Sequence, residues 1–199
     1  MFTRLTTITA AQNIDDGLAF IRDTVVPTLQ QQRGYAGLIA STDRAGSVLA
    51  ALTVWQDEAS RDASESGIAK VRDEAVRVIG GTVSVTLHEQ VLFEQAKPIE
   101  AGTALLVRPI RMDPAAIDGN IAYFRAEVLP QIQAEKGYRA VRQLIDRTTG
   151  EGLAGTVFDD QASLRVAAAH AEERRADAEK RGVVLSELGA REIEYVDRA

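Results

Sequence analysis

The sequence predicts an α+β protein built from two tandem ferredoxin-like βαββαβ units whose antiparallel sheets pack together as a barrel-like pair. Three observations lead there: the chain matches itself at a long offset, each half has one helix with a clear apolar stripe, and both halves repeat one order of strands and helices. Shifted by 103 residues, Ile14-Asp15 meets Ile117-Asp118, Val25-x-Pro27 meets Val128-x-Pro130, and Gly34-Tyr35 meets Gly137-Tyr138. Asp43-Arg44, Thr53-Val54 and Asp57-x-Ala59-Ser60 then meet Asp146-Arg147, Thr156-Val157 and Asp160-x-Ala162-Ser163. About a third of positions 14–60 are identical without a gap. The period is too long for a solenoid unit, so each copy is domain-sized. The expected organisation is a first unit at 1–95, a linker at 96–102 and a second unit at 103–199.

The first unit opens with a β-rich run, Phe2 to Thr9. Ile14, Leu18, Ile21, Val25 and Leu29 then step by three or four and line one helical face, as Ile117, Ile121, Phe124, Val128 and Ile132 do in the copy. Pro27 and Pro130 fall inside these helices, where proline costs ~3 kcal/mol. Five buried apolar side chains at ~1.5–3 kcal/mol each outweigh that, so a kinked or interrupted helix is expected in both halves. Gly34 and Gly137 suit a left-handed helix end. Strands follow at Tyr35–Thr42 and Tyr138–Ile145, then an Asp-Arg turn, then a strand ending at Trp55 or Phe158. Asp57 and Asp160 are placed to cap the next helix, which runs to about Ile79 or Arg181. A last strand, Thr82–Glu94 or Val183–Val196, closes each unit.

Composition narrows the function classes. At 45% hydrophobic and 26% charged the chain is globular in type. A net charge of −6 with no extended Lys/Arg cluster argues against nucleic acid or an anionic membrane as partner. The absence of cysteine excludes disulfides and thiolate chemistry. The opening MFTRLTTITA is too polar for a signal peptide and no apolar run approaches a membrane span, so a cytoplasmic location is expected. No metal site is expected either, because no histidine pair stands at helical spacing and the carboxylates scatter along helix faces.

The stretches VVPTLQQQRGYAGLIASTDRAGSVLAALTVWQDEAS and VLPQIQAEKGYRAVRQLIDRTTGEGLAGTVFDDQAS resemble the antibiotic biosynthesis monooxygenase family of the dimeric α/β-barrel superfamily. The shared pattern is helix, Pro, Gly-aromatic, strand, hairpin, strand ending in a Trp, then Asp/Glu-x-Ala, with Phe158 in the Trp place of the second copy. It covers most of both copies, and the resemblance implies that the chain folds as a pseudo-dimer of the dimeric α/β-barrel type. The resemblance implies a cleft between the helices and the sheet that takes a polycyclic aromatic substrate or haem. Some members of the family oxidise phenolic substrates with oxygen and no cofactor, and others degrade haem. Two functions therefore stay open. One is a cofactor-independent monooxygenase acting on a small aromatic or polyketide-like substrate; the other is a non-catalytic ligand-binding or structural protein. Haem degradation is the less expected branch: only His88, His170 and Trp55 are available for its constellation, and Asn13 reads as a helix cap. No cofactor is expected. The chain is either a monomeric pseudo-dimer or a homodimer.

Candidate site residues are few. In TVSVTLHEQVLFEQ, Val83, Val85 and Leu87 alternate onto one face, expected beneath the helices, which leaves His88 facing the cleft with Ser84, Thr86 and Gln90. An imidazole there could act as general base, since deprotonating a phenol makes it electron-rich enough to reduce oxygen; the plainer reading is a hydrogen-bonded sheet histidine. His170 falls on a charged helix and reads as solvent-facing. Arg4 and Arg108 hold comparable places in the first strands and could take an anionic group, though exposure at a strand edge explains them equally well. Trp55 and Phe158 could stack on a ligand or plug the core. The spacing G-x-G-x-x-G at Gly150, Gly152 and Gly155 mimics a dinucleotide loop but opens into a strand, where the cofactor fingerprint requires a helix. Gly150 is expected at a hairpin turn, and Gly152 and Gly155 at a bulge or close approach.

Overall fold

A computed structural model describes residues 1–198. Two compact units emerge: Met1–Leu87 with Glu192–Ala199, hereafter unit 1, and His88–Arg191, unit 2. In unit 1 the order is β1 (Phe2–Thr9), α1 (Ile14–Phe20), α2 (Val26–Gln30), β2 (Tyr35–Asp43), β3 (Val48–Trp55), α3 (Glu58–Ala63), α4 (Glu65–Ile79) and β4 (Thr82–Gln95). Unit 2 has β5 (Ala104–Arg111), α5 (Ile117–Tyr123), α6 (Leu129–Gln133), β6 (Tyr138–Ile145), β7 (Glu151–Phe158), α7 (Gln161–Glu173), α8 (Arg175–Lys180), β8 (Val184–Leu185) and β9 (Gly189–Arg198). Strand neighbours run β4-β1-β3-β2-β9 in unit 1 and β4-β6-β7-β5 in unit 2, with β8 and β9 beside β5. Residues 82–87 of β4 belong to unit 1 and 88–95 to unit 2, while β9 passes from unit 2 to unit 1 after Arg191. The class is α+β, with antiparallel pairing of β1, β2 and β3 in one unit and of β5, β6 and β7 in the other.

The prolines are accommodated by a wide turn. Ile21–Val25 and Phe124–Val128 form π-helical segments, and each is followed by an α-helix with proline at its start. Proline lacks an N–H and its ring crowds the carbonyl four residues back, so a wider turn ahead of it relieves both conflicts. The apolar face moves by one residue across each π turn: Val26 and Leu129 are buried where Val25 and Val128 were expected, while Ile21 and Leu29 in unit 1 and Ile117 and Ile132 in unit 2 are buried as expected. Gly34 and Gly137 are left-handed, at φ 76° and 78°. A Cβ on Gly137 would meet Ser163 Oγ at 2.7 Å, so the position demands glycine twice over. Asp57 and Asp160 cap their helices, accepting from the Ser60 and Ser163 amides at 2.7 Å each. Asn13 does not cap; its side-chain amide donates to the Val78 carbonyl at 3.2 Å.

Two strand expectations change. Val83, Val85 and Leu87 do not lie beneath helices: they are 39%, 38% and 41% exposed. Period-two patterning reports alternation, not which element covers a face, and this half of β4 is exposed on both. The closing strand of unit 2 is broken into β8 and β9, and the Ser186 amide between them donates to the Pro109 carbonyl.

Candidate small-molecule cleft

Unit 2 holds a cavity of about 220 Å³ between the helix-covered face of its sheet and the helices above. The strand registers set its floor in three rows. Leu106, Thr156 and Val141 lie side by side across β5, β7 and β6; next come Arg108, Ala154 and Gln143; then Ile110, Gly152 and Ile145. The middle row is polar at both ends and small in the centre. The roof comes from α5 and its π turn through Ile121, Tyr123, Phe124 and Val128, and from the α7–α8 helices through Ala171, Arg174 and Ala178. The Arg181 guanidinium stacks 4.0 Å from the centre of the Tyr123 ring at the rim.

The corresponding space in unit 1 is only about 60 Å³. Its rows are Arg4, Thr53 and Leu38; Thr6, Ala51 and Ala40; and Ile8, Leu49 and Thr42. Side-chain size explains the difference. At the 103-residue offset, Leu49 and Ile68, both lining the unit 1 space, become Gly152 and Ala171 in unit 2. Two large apolar side chains of the unit 1 space are thus absent from unit 2. A further hollow of about 510 Å³ beside Asp57 is an open surface depression with no aromatic lining.

The two arginines differ from expectation. Both are buried, Arg4 at 3% and Arg108 at 6% exposed, so neither is a strand-edge side chain. Nor are their places equivalent: Arg4 pairs across from Thr53, whereas Arg108 pairs across from Ala154, so Arg108 stands where unit 1 has Thr6. Burial lowers the pKa of both guanidinium groups, opposed by Glu65 for Arg4 and by Glu172 for Arg108. Arg4 is tied into unit 1: it donates to Ser64 Oγ at 3.0 Å and to the Arg61 carbonyl at 2.8 Å, and lies 3.2 Å from Glu65. Arg108 donates to one side chain, Glu172, and its buried Nε has no hydrogen-bond partner among the described residues. Glu172 is itself half exposed and receives Arg175 Nε at 2.8 Å. The Glu172 carboxyl is held below its ordinary pKa, chiefly by that Arg175 bond.

The remaining candidates lie outside the cleft. His88 is buried at 7% but lines neither space, and it contributes to holding the Asp146 carboxyl low, behind the larger effect of the Thr148 amide. Trp55 is fully buried, donates to Thr53 Oγ1 at 3.0 Å and meets Tyr35 edge-to-face; Phe158 is 1% exposed in the unit 2 core. Neither offers a face to a ligand. His170 is not simply solvent-facing, since Nδ1 lies 2.8 Å from Glu135. Among the described residues no group of three or more His, Asp or Glu is placed to hold a metal, and no helix is long and apolar enough to cross a membrane. Gln143, Thr156, Tyr123 and Ala171 line the cleft and are passed over by motif reading. Comparing side-chain size along the 103-residue offset would have found the open cleft.

Comparison with known proteins places the fold. No protein-family model matches the chain. It is 29% identical over 160 residues to the uncharacterised protein Rv2557 of Mycobacterium tuberculosis, spanning 80% of this chain and 71% of that one. A second uncharacterised protein of that organism, Rv2558, is 24% identical over 199 residues, spanning 99% and 82%. An anthrone oxidase-like protein superposes with a TM-score of 0.71 at 13% identity, covering 99% of this chain and 92% of its own. A ferredoxin-fold protein from Listeria monocytogenes, related to antibiotic biosynthesis monooxygenases, gives 0.57 at 4% identity, covering 98% and 95%. These likenesses establish a ferredoxin-like fold of the kind seen in monooxygenase-related proteins.

Proposed function

We propose that this chain is a tandem protein of the antibiotic biosynthesis monooxygenase type whose working site is the unit 2 cleft, and that the cleft takes a compact aromatic or polyketide-like molecule. The sheet-to-sheet pairing expected from the repeat belongs to the same proposal. The observation that carries it is the contrast between the two clefts: an apolar space with one polar row in unit 2, and a filled one in unit 1. Apolar walls with a few convergent polar groups are the usual form of a small-molecule site.

The chemistry we assign is oxygenation without a cofactor. An enolisable aromatic, R₂CH₂, loses a proton to give an enolate whose oxygen sits beside Arg108, where a buried cation stabilises developing negative charge. The enolate passes one electron to O₂, and the radical pair joins as a C–O bond. Protonation gives the hydroperoxide, and loss of water leaves R₂C=O. The sum is R₂CH₂ + O₂ → R₂C=O + H₂O, so no external reductant is needed. This assigns Arg108 the electrostatic role and leaves the proton to solvent, because His88 does not line the cleft.

A second reading, ligand binding without turnover, is favoured by the lack of any histidine among the described lining residues. Oxygen uptake with a panel of anthrones and hydroquinones separates the two. The oxygenase reading expects one O₂ per substrate and a rate that falls at least tenfold in Arg108→Gln. Binding of the same compounds with no uptake leaves the second reading.

A further inference from the structure

We infer that the unit 2 cleft selects monoanionic ligands, and that Glu172 occupies Arg108 as an internal stand-in for the ligand's carboxylate or enolate. The inference rests on the small-molecule reading above and adds the charge of the ligand and the group it displaces.

Arg108 and Gln143 project from β5 and β6, separated by the single small residue Ala154 on β7. Adjacent strands lie ~4.8 Å apart, so the two Cα atoms stand ~10 Å apart with an open floor between them. An oxygen resting above Ala154 is within reach of both long side chains. The apolar rows on either side, Leu106-Thr156-Val141 and Ile110-Gly152-Ile145, then hold the hydrocarbon part. Unit 1 has Thr6, Ala51 and Ala40 in the equivalent row, and so lacks both the guanidinium and the side-chain amide.

Charge is the reason for choosing an anion. A buried guanidinium is costly unless paired and hydrogen-bonded, and Arg108 holds one partner with its Nε unused. Arginine binds carboxylates best through two parallel N–H donors, and a ligand carboxylate entering from the cleft can complete that fork. Glu172 can yield, because it is half exposed and keeps Arg175 as partner when it leaves Arg108. Arg175 is in turn anchored on the Leu185 carbonyl at 2.9 Å, so its position does not depend on Arg108. Arg4 shares the unpartnered Nε but differs in its terminal nitrogens, which are held by Ser64, the Arg61 carbonyl and Glu65, where Arg108 has Glu172 alone.

The test compares 2-naphthoate with its neutral isostere 2-naphthamide, by calorimetric titration on the full chain. Wild type should bind the acid at least tenfold more tightly than the amide. Arg108→Gln should abolish that preference, chiefly by weakening the acid at least tenfold, and Arg108→Lys should retain part of it. Glu172→Gln should tighten the acid several-fold and leave the amide unchanged, because the internal competitor is gone; this variant keeps the proposal testable if Arg108→Gln fails to fold. Equal binding of acid and amide, unaltered by Arg108→Gln, would overturn the anion assignment while leaving the cleft as a binding site. Weaker acid binding in Glu172→Gln would overturn the stand-in role. If neither probe binds wild type, the small-molecule reading falls as well.

Discussion

Ala171→Ile places in unit 2 the side-chain size that unit 1 has at Ile68, and its two consequences have opposite signs. Ala171 lines the roof of the cleft and is half-buried. Isoleucine adds three carbons, worth about 2.4 kcal/mol at ~0.8 kcal/mol per buried CH₂. The cleft is partly open, which halves that gain, and the poorer helix propensity of isoleucine removes a few tenths of a kcal/mol. A net stabilisation of roughly 0.5–1 kcal/mol remains, which raises Tm by about 1–4 °C in a domain of this size. Ligand affinity should move the other way, falling at least tenfold for naphthoate and naphthamide alike, because the new side chain takes their space. Differential scanning calorimetry and titration read the two effects on one preparation. A higher Tm with unchanged affinity would refute the assignment of the site to this cleft. A lower Tm would refute the claim that the space there can be filled without strain.

Two further substitutions probe the glycines and the caps. In Gly152→Ala the new methyl would overlap the Leu144 carbonyl oxygen, whereas in Gly155→Ala it meets only Leu105 Cδ1, at 3.5 Å. The first should therefore lower the urea midpoint clearly and the second leave it unchanged or raised; equal effects would contradict the geometry. Asp160 is held below the ordinary carboxylate range by the Ser163 amide, so its contribution is present above that range and is lost as pH falls through the lowered value. Asp160→Asn keeps a capping oxygen that does not titrate. Its Tm should thus fall less steeply than that of wild type between about pH 5 and about pH 2.5, and parallel curves would count against the cap.

Much of the architecture was legible because backbone-determining residues are local signals. Gly34 and Gly137 end their helices in the left-handed region, Asp57 and Asp160 cap theirs, and the apolar stripes from Ile14 and Ile117 are the packed faces. The G-x-G-x-x-G spacing likewise resolves into structure: Gly150 turns the hairpin at φ 73°, and Gly152 permits a close approach of the neighbouring strand. What escaped was set by tertiary neighbours. Val83 alternates like a half-covered strand residue, yet residues 82–87 are exposed on both faces. The π turns answer prolines whose conflict could be seen but whose relief could not. Arg108 was found, yet its register was misjudged by one step along the strand face, since Ala104 pairs with Phe158 where Phe2 pairs with Trp55. His88 was placed by strand alternation and Trp55 by its strand-end position, and neither lines a cleft. The cleft itself is written in small residues, Gly152, Ala154 and Ala171, which no motif search weighs.

The most direct measurement is a backbone ¹H–¹⁵N spectrum of the full chain titrated with 2-naphthoate. The account predicts the largest shifts at Arg108, Gln143, Ala154 and Ala171, with the corresponding unit 1 positions Thr6, Ala40, Ala51 and Ile68 unmoved. Shifts centred on those unit 1 positions, or an unchanged spectrum at saturating ligand, would contradict it.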